Sequence, residues 1–421
     1  MRVRCSPCRS RSVGPVTARR TPTRSRRAAL ALTGALAVTL AGCSDGEPSA
    51  APTTSSAPAP STTSPSPTPT PTCVETTTEA LTEDQRLGQL LMVALDTNAP
   101  EDSLDDEVTE QHVGNMLFLG GWEGADKVSS ASEHLEGLVS EDSTGDVGML
   151  VAADQEGGIV HQLRGSGFTR PPAAVDQATL SPAELTEAAT GWAEELAAVG
   201  VNVNLAPVVD TVPAELGTGN GPVGQYGREY GNTPEEVERS ANAFIEGMLD
   251  GGVQATVKHF PGLGRITNNT DFAADGITDD TTTADDPYLE PFASGVEAGA
   301  NLVMVGSAEY TRIDEGVPAM FSERIVTDVL RGDLGYDGVV ITDDVNAESV
   351  RSVPPGERAV RVLGAGGDIV LTGDPTQAPE MLDALRAEAG QDEDFAAQVD
   401  ASVERVLALK DEMGLLPCSQ D

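Results

Sequence analysis

The 421-residue chain is acidic, with 67 aspartates and glutamates against 26 lysines and arginines, a formal charge of −41. Such a field repels a phosphate backbone, so nucleic acid is excluded as a natural partner. The acid is spread along the chain and reads as a solvated surface, while the length suits two or three ordinary domains or one large α/β barrel.

Residues 1–27 carry nine arginines and no acid, and residues 28–42 (AALALTGALAVTLAG) form an apolar run too short to span a bilayer as a mature helix. This is the pattern of an export signal. Leu40, Ala41 and Gly42 before Cys43 resemble the bacterial lipobox, which implies a signal over residues 1–42 and a lipid on Cys43 that anchors the exported protein to the outer face of the cell membrane. Ser25-Arg26-Arg27 adds a weak twin-arginine hint. A buried apolar helix with a chance cysteine is the alternative.

Residues 44–72 are mostly Ser, Thr, Pro and Ala and hold no large apolar side chain, so they cannot bury enough surface to offset their ordering entropy. They read as a tether, residues 43–72. Eight prolines favour an extended polyproline II chain, and at ~3.1 Å per residue it reaches on the order of 90 Å. Cys5 and Cys8 fall in the signal; Cys73 and Cys418 bracket the rest, residues 73–421. An exported protein sits where disulfides persist, so a Cys73–Cys418 bridge is expected, with two free thiols as the alternative.

Apolar runs of strand length recur at 91–96, 114–119, 147–153, 201–205, 253–257, 302–306, 338–342 and 368–372, separated by amphipathic helical patterns. Ser181-Pro182-Ala183-Glu184 and Thr233-Pro234-Glu235-Glu236 both read as capping boxes with proline in the first turn. Eight doubly buried strands alternating with helices predict a (β/α)8 barrel as a single domain, with an open doubly wound sheet as the runner-up. Asp154, Asp210, Lys258 with His259, Ser307 with Glu309, and Asp343 with Asp344 all fall at C-terminal strand ends, where barrels carry their sites. No zinc spacing, phosphate loop or Ser-His-Asp set is visible; Gly262-Leu263-Gly264 follows a proline and lacks a helix start.

The segments DQEGGIVHQL (154–163), GVNVNLAPVVD (200–210), GREYG (227–231), VKHFPGLG (257–264), NLVMVGSAEY (301–310) and LGYDGVVITDD (334–344) resemble glycoside hydrolase family 3. The likeness runs from about residue 81 to 416 and is to the single-domain branch, the β-N-acetylglucosaminidases of peptidoglycan turnover. It implies exo-acting hydrolysis of terminal β-linked N-acetylglucosamine by a retaining double displacement, with carbohydrate as the partner and no metal or organic cofactor. It also implies Asp343 as nucleophile, with Asp344 as a loop cap and the reverse assignment open, and Asp154, Arg228, Lys258 and His259 as ligands of the sugar.

Two positions depart from the family pattern. The branch carries Asp-x-His on the loop after the glycine turn, whereas this chain has Asn269, Thr270 and Asp271. Three readings stay open: Asp271 is the acid/base with its pKa raised by neighbours such as Phe272, another loop supplies the acid, or the protein binds sugar without cleaving it. A carboxylate base repels phosphate and so favours water as acceptor. Gln162 stands where the family often has a substrate-binding arginine, for which Arg164 is a candidate replacement. Pocket shape decides between the acetamido sugar and another β-linked sugar. Only one helical pattern is read beyond the eighth run, so the second domain of the related β-glucosidases is not expected.

Overall fold

A computed structural model of the protein describes residues 71–419. The expected signal over residues 1–42, the lipidation site Cys43 and the tether as far as residue 70 lie outside the described residues. Thr72 caps the first helix, α1 (Cys73–Ala80), in a reciprocal capping box with Glu75.

Eight parallel strands make one sheet: β1 (Leu91–Asp96), β2 (Asn115–Leu119), β3 (Leu150–Ala153), β4 (Val203–Asn204), β5 (Gln254–Phe260), β6 (Leu302–Val305), β7 (Val339–Thr342) and β8 (Val370–Thr372). Their spatial order is β7-β6-β5-β4-β3-β2-β1-β8, and a parallel bridge from Ile341 to Ile369 brings β7 back beside β8. The sheet closes into a (β/α)8 barrel, and its order has no switch point of the kind a doubly wound sheet needs. Strands such as Leu150–Ala153 and Leu302–Val305 are buried throughout, which is why continuous apolar runs mark them.

Seven of the eight strands differ from the sequence reading by one to three residues at an end, and the third, fourth and fifth differ in ways that bear on the site. The third strand begins at Leu150 and the fourth is only Val203–Asn204, because the Asn202 side chain takes over their edge: its Oδ1 accepts from the Val151 N–H at 2.8 Å and its Nδ2 donates to the Met149 carbonyl at 3.0 Å. The fifth strand runs on to Phe260, so Lys258 and His259 lie within it rather than after it. Beyond β8 there are two helices, Ala378–Ala389 and Glu393–Glu412, where one helical pattern is expected.

The helix starts follow their caps. The helix Pro182–Ala197 has the full Ser181–Glu184 box. The helix Pro234–Asp250 has half of one: Thr233 Oγ1 accepts from the Glu236 N–H at 3.3 Å, but the Glu236 carboxylate takes the Asn232 N–H, one residue earlier, at 2.9 Å. The two helices pack closely at Gly247, where a Cβ would lie 2.5 Å from the Thr186 carbonyl oxygen.

Cys73 and Cys418 are joined by a disulfide that spans 345 residues of sequence. It ties α1 to the segment after the helix Glu393–Glu412, at the end of the barrel where β6 and β7 begin. Closing so long a loop restricts the unfolded chain, and replacing both cysteines with serine is expected to cost about 2–5 kcal/mol of stability. Thermal unfolding of Cys73→Ser/Cys418→Ser under oxidising conditions checks this; an unchanged Tm would show that the noncovalent docking of α1 suffices.

Candidate active site

A cavity of about 560 Å³ opens at the C-terminal ends of the strands, walled by Asp154, Glu156, Arg228, Asp271, Phe272 and Asp344 among others. Its volume falls within the ordinary range of small-molecule sites. A larger hollow, about 770 Å³, lies at the opposite end against α1 and the starts of β6 and β7; its acidic walls are remote from every strand C-terminus, so the chemistry is placed in the smaller one.

One ion network binds three segments together: the hairpin after β3, the loop after β4, and β5. Lys258 on β5 reaches Asp154 Oδ1 and Glu156 Oε1, both at 2.6 Å, and Arg228 grips Glu156 with two parallel bonds, Nε to Oε2 at 2.8 Å and Nη2 to Oε1 at 2.6 Å. Arg228 also donates to the Pro222 carbonyl. Burial alone would push the Glu156 carboxyl up, but Arg228 and then Lys258 outweigh it and hold it well below the usual carboxylate range. Burial opposes the charge on Lys258 as well, and Asp154 and Glu156 overcome it, raising the ammonium above its ordinary value.

His259 is held from below. Asp210, fully buried, accepts from the ring Nδ1–H at 2.7 Å and from the His259 and Leu263 backbone N–H groups at 3.1 and 2.9 Å. That leaves Nε2 facing Arg228 Nη2 at 3.4 Å. The histidine orientation is therefore fixed by an aspartate on the turn after β4.

Asp343 and Asp344 follow β7 and take different surroundings. The Asp343 N–H bonds the Val305 carbonyl, and its Oδ1 accepts from the Asp344 N–H at 2.9 Å. Asp344 lines the cavity, yet its Oδ1 is taken by the backbone N–H groups of Asn346 at 2.8 Å and Gly373 at 2.9 Å. Burial raises the Asp343 carboxyl and the negative charge of Asp271 adds to it, while His259 and Lys258 pull the other way. Asp271 is raised too, by loss of hydration first, against the pull of His259 and Arg228.

The loop that carries Asp271 lies over the barrel mouth. Its Asp271 carbonyl accepts from the Glu348 N–H and its Thr270 carbonyl from the Ser349 N–H, both at 3.2 Å. Asn269 is a turn builder: its Oδ1 accepts from the Asp271 N–H at 2.8 Å. Phe272 is 77% exposed and does not shield Asp271, so apolar cover from Phe272 is not what raises the carboxyl.

The structure thus brings Asp154, Arg228, Lys258, His259, Asp271 and Asp343 to one end of the barrel. Gln162 lines the cavity and its Oε1 accepts from the Gly121 N–H at 3.1 Å. Arg164 does not replace the absent arginine: it is exposed beside Gly121, 3.5 Å from that carbonyl, and is not among the residues lining the cavity. Sequence reading missed Glu156 altogether and noted Asp210 only as a strand-end residue; Glu156 could have been suspected from its place two residues after Asp154, and Asp210 from the donors in the KH pair.

Residues 82–409 match the sequence profile of the glycosyl hydrolase family 3 N terminal domain. A beta-hexosaminidase of Xylella fastidiosa is 36% identical over 267 residues, covering 60% of this chain and 74% of that one. A crystal structure of a beta-N-acetylhexosaminidase from Beutenbergia cavernae superposes with a TM-score of 0.76 at 49% identity, covering 78% of this chain and 98% of that one. The family 3 beta-N-acetylglucosaminidase of a Paenibacillus species gives a TM-score of 0.69 at 32% identity, over 80% of this chain and 63% of that one.

The electrostatics predict that the site costs stability. The folded Asp343 carboxyl binds its proton more tightly than the unfolded one, so the native state holds more protons between about pH 3.9 and the raised value, and stability falls as pH rises through that window. Asp343→Asn removes this fall. Its Tm at pH 7 is expected to exceed wild type, with the difference vanishing toward pH 3; thermal melts across pH check it.

Proposed function

The chain belongs to glycoside hydrolase family 3 and is a glycosidase, and from that premise we propose a residue-level account of how it releases terminal β-linked N-acetylglucosamine. An Asp343 carboxylate oxygen attacks the anomeric carbon while Asp271 gives its proton to the departing glycosidic oxygen, and the carbon–oxygen bond breaks. Water then attacks the glycosyl–enzyme ester, Asp271 takes its proton, and the bond to Asp343 breaks. Atoms and charges return to their starting state.

The observation that carries this reading is the contrast between the two adjacent aspartates. Asp344 has one oxygen committed to two backbone N–H groups, as a loop cap does, whereas Asp343 sits in the field of His259, Lys258 and Asp271. Asp271 suits the acid role by position: it lines the cavity, and its carboxyl is raised rather than lowered, with its charge in turn raising Asp343. Asp154 and Arg228 line the cavity where the sugar hydroxyls would lie, with Lys258 and His259 supporting them from β5. An ionised Asp271 acting as base in the second step repels an incoming phosphate, so water is the acceptor in this reading.

The setting is proposed on the same footing. A lipid on Cys43 and the proline-rich segment that follows would hold the barrel away from the membrane surface, within reach of cell-wall glycan fragments. The natural substrate in this reading is a peptidoglycan fragment ending in N-acetylglucosamine.

Kinetics on fluorogenic N-acetylglucosaminide and glucoside test the roles. Asp343→Asn is expected to abolish turnover with sugar binding retained, and substantial residual activity would remove it as nucleophile. Asp271→Ala is expected to lose about 10²–10⁴-fold on substrates with poor leaving groups and to be partly restored by azide on good ones. Loss without any azide effect would move the acid to another loop.

A further inference from the structure

The loop that carries Asp271 is held from two sides. On one side stand the Glu348 and Ser349 N–H groups of the loop after β7, bonded to the Asp271 and Thr270 carbonyls. On the other stands Asn220, on the loop after β4, whose side chain is fully buried. Its amide spends its whole hydrogen-bonding capacity, two donors and two acceptor positions. Nδ2 donates to the Leu263 carbonyl at 2.7 Å and to the Ile266 carbonyl at 2.8 Å, at the root of the Asp271 loop. Oδ1 accepts from the Val223 N–H at 2.9 Å and the Gly224 N–H at 2.7 Å, within its own loop.

Both halves of this clasp lead to the chemistry. Leu263 to Ile266 is a closed turn, with the Ile266 N–H on the Leu263 carbonyl at 3.1 Å, and Asp271 follows five residues after Ile266. On the other half, Pro222 lies inside the turn that Oδ1 closes, and its carbonyl accepts from Arg228 Nη1 at 2.8 Å. The two loops also meet backbone to backbone: at Gly221 a Cβ would lie 2.6 Å from the Thr267 carbonyl oxygen and 3.2 Å from the Asn269 nitrogen. An ionised aspartate at position 220 would have no N–H to give, a serine would have one donor, and a glutamine would carry its amide a methylene further into close-packed surroundings.

We propose that Asn220 is a positioning residue for the acid/base, tying the turn before Asp271 to the turn that supports Arg228 and so fixing where the Asp271 carboxyl meets the glycosidic oxygen. The inference rests on Asp271 as the acid/base. Asn220 does not line the cavity, so it acts through the loop and not on the sugar. Proton transfer needs the carboxyl within hydrogen-bond reach of the departing oxygen, and a misplacement of about 1 Å can cost on the order of 10²-fold. Asp343 is held separately, at the end of β7 with its N–H on the Val305 carbonyl. Loss of the clasp therefore falls on protonation of the leaving group and spares the attack on the anomeric carbon.

The test compares full-length wild type, Asp271→Ala, Asn220→Ala and Gly221→Ala on phenyl and 2,4-dinitrophenyl N-acetyl-β-glucosaminide. The phenyl group needs a proton to leave, whereas the dinitrophenyl group departs as its anion. Asn220→Ala is expected to lower kcat/KM on the phenyl glycoside by about tenfold to 10²-fold and on the dinitrophenyl glycoside by less than about threefold, with azide speeding turnover of the latter as β-glycosyl azide forms. Gly221→Ala removes no hydrogen-bonding group and pushes the same loop at the Thr267 carbonyl, so the same split is expected of it, and it carries the test should Asn220→Ala fail to fold. Losses equal on the two substrates, or no loss, where Asp271→Ala does show the split overturn Asn220 as a positioning residue and leave Asp271 in its role. An Asp271→Ala protein that shows no split overturns the acid/base reading itself, and the proposal with it.

Discussion

Glu156 is the buried charge on which the geometry of the site depends. It receives two bonds from Arg228 and one from Lys258, and Lys258 in turn holds Asp154, so the segment after β3, β5 and the loop after β4 are fixed against one another. Such a network contributes little net stability, because desolvating the ions costs about as much as their attraction returns. Removing one member is different. Without Glu156 the Arg228 guanidinium would lose its only carboxylate partner among the described residues and the direction it gives, while Lys258 would keep Asp154 alone. The cluster is therefore best understood as preorganisation, fixing hydrogen-bonding groups before substrate arrives.

The same arrangement sorts the carboxylates at this end of the barrel. Glu156, beside two cations, is kept ionised, while Asp343, Asp271 and Asp344 lose hydration without a direct cationic partner and are raised. A double displacement needs one carboxyl to attack and another to hold a proton, and because the charge of Asp271 raises Asp343 the two do not ionise independently. The loop after β5 contributes by position: docked by backbone bonds to the loop after β7, it sets Asp271 close enough to feel the charges of His259 and Arg228. In the proposed account an aspartate on this loop does the work of the histidine that the family pattern would put there.

Much of the barrel is legible in the sequence because parallel strands buried on both faces must be apolar runs, and all eight runs are strands of the sheet. Where a side chain substitutes for the backbone ladder, as Asn202 does, the pattern cannot show where pairing stops. Motif residues such as Lys258 and His259 stand out because charged groups interrupt an apolar strand. Glu156 and Asp210 do not, because their meaning comes from partners 72 and 49 residues away, which only the closed barrel brings near. Arg164 shows the converse failure: a plausible charge two residues from Gln162 points to the wrong neighbourhood once the local strand is built.

The central claim is that Asp343 carries the sugar between the two displacements. Incubation with 5-fluoro-N-acetylglucosaminyl fluoride, which slows breakdown of the intermediate, followed by proteolysis and tandem mass spectrometry, reads the attachment point directly. The account predicts one fluorosugar ester on Asp343 in the peptide that follows β7, absent from Asp343→Asn. A label on Asp344 instead, or turnover of the reagent with no protein ester formed, would contradict it.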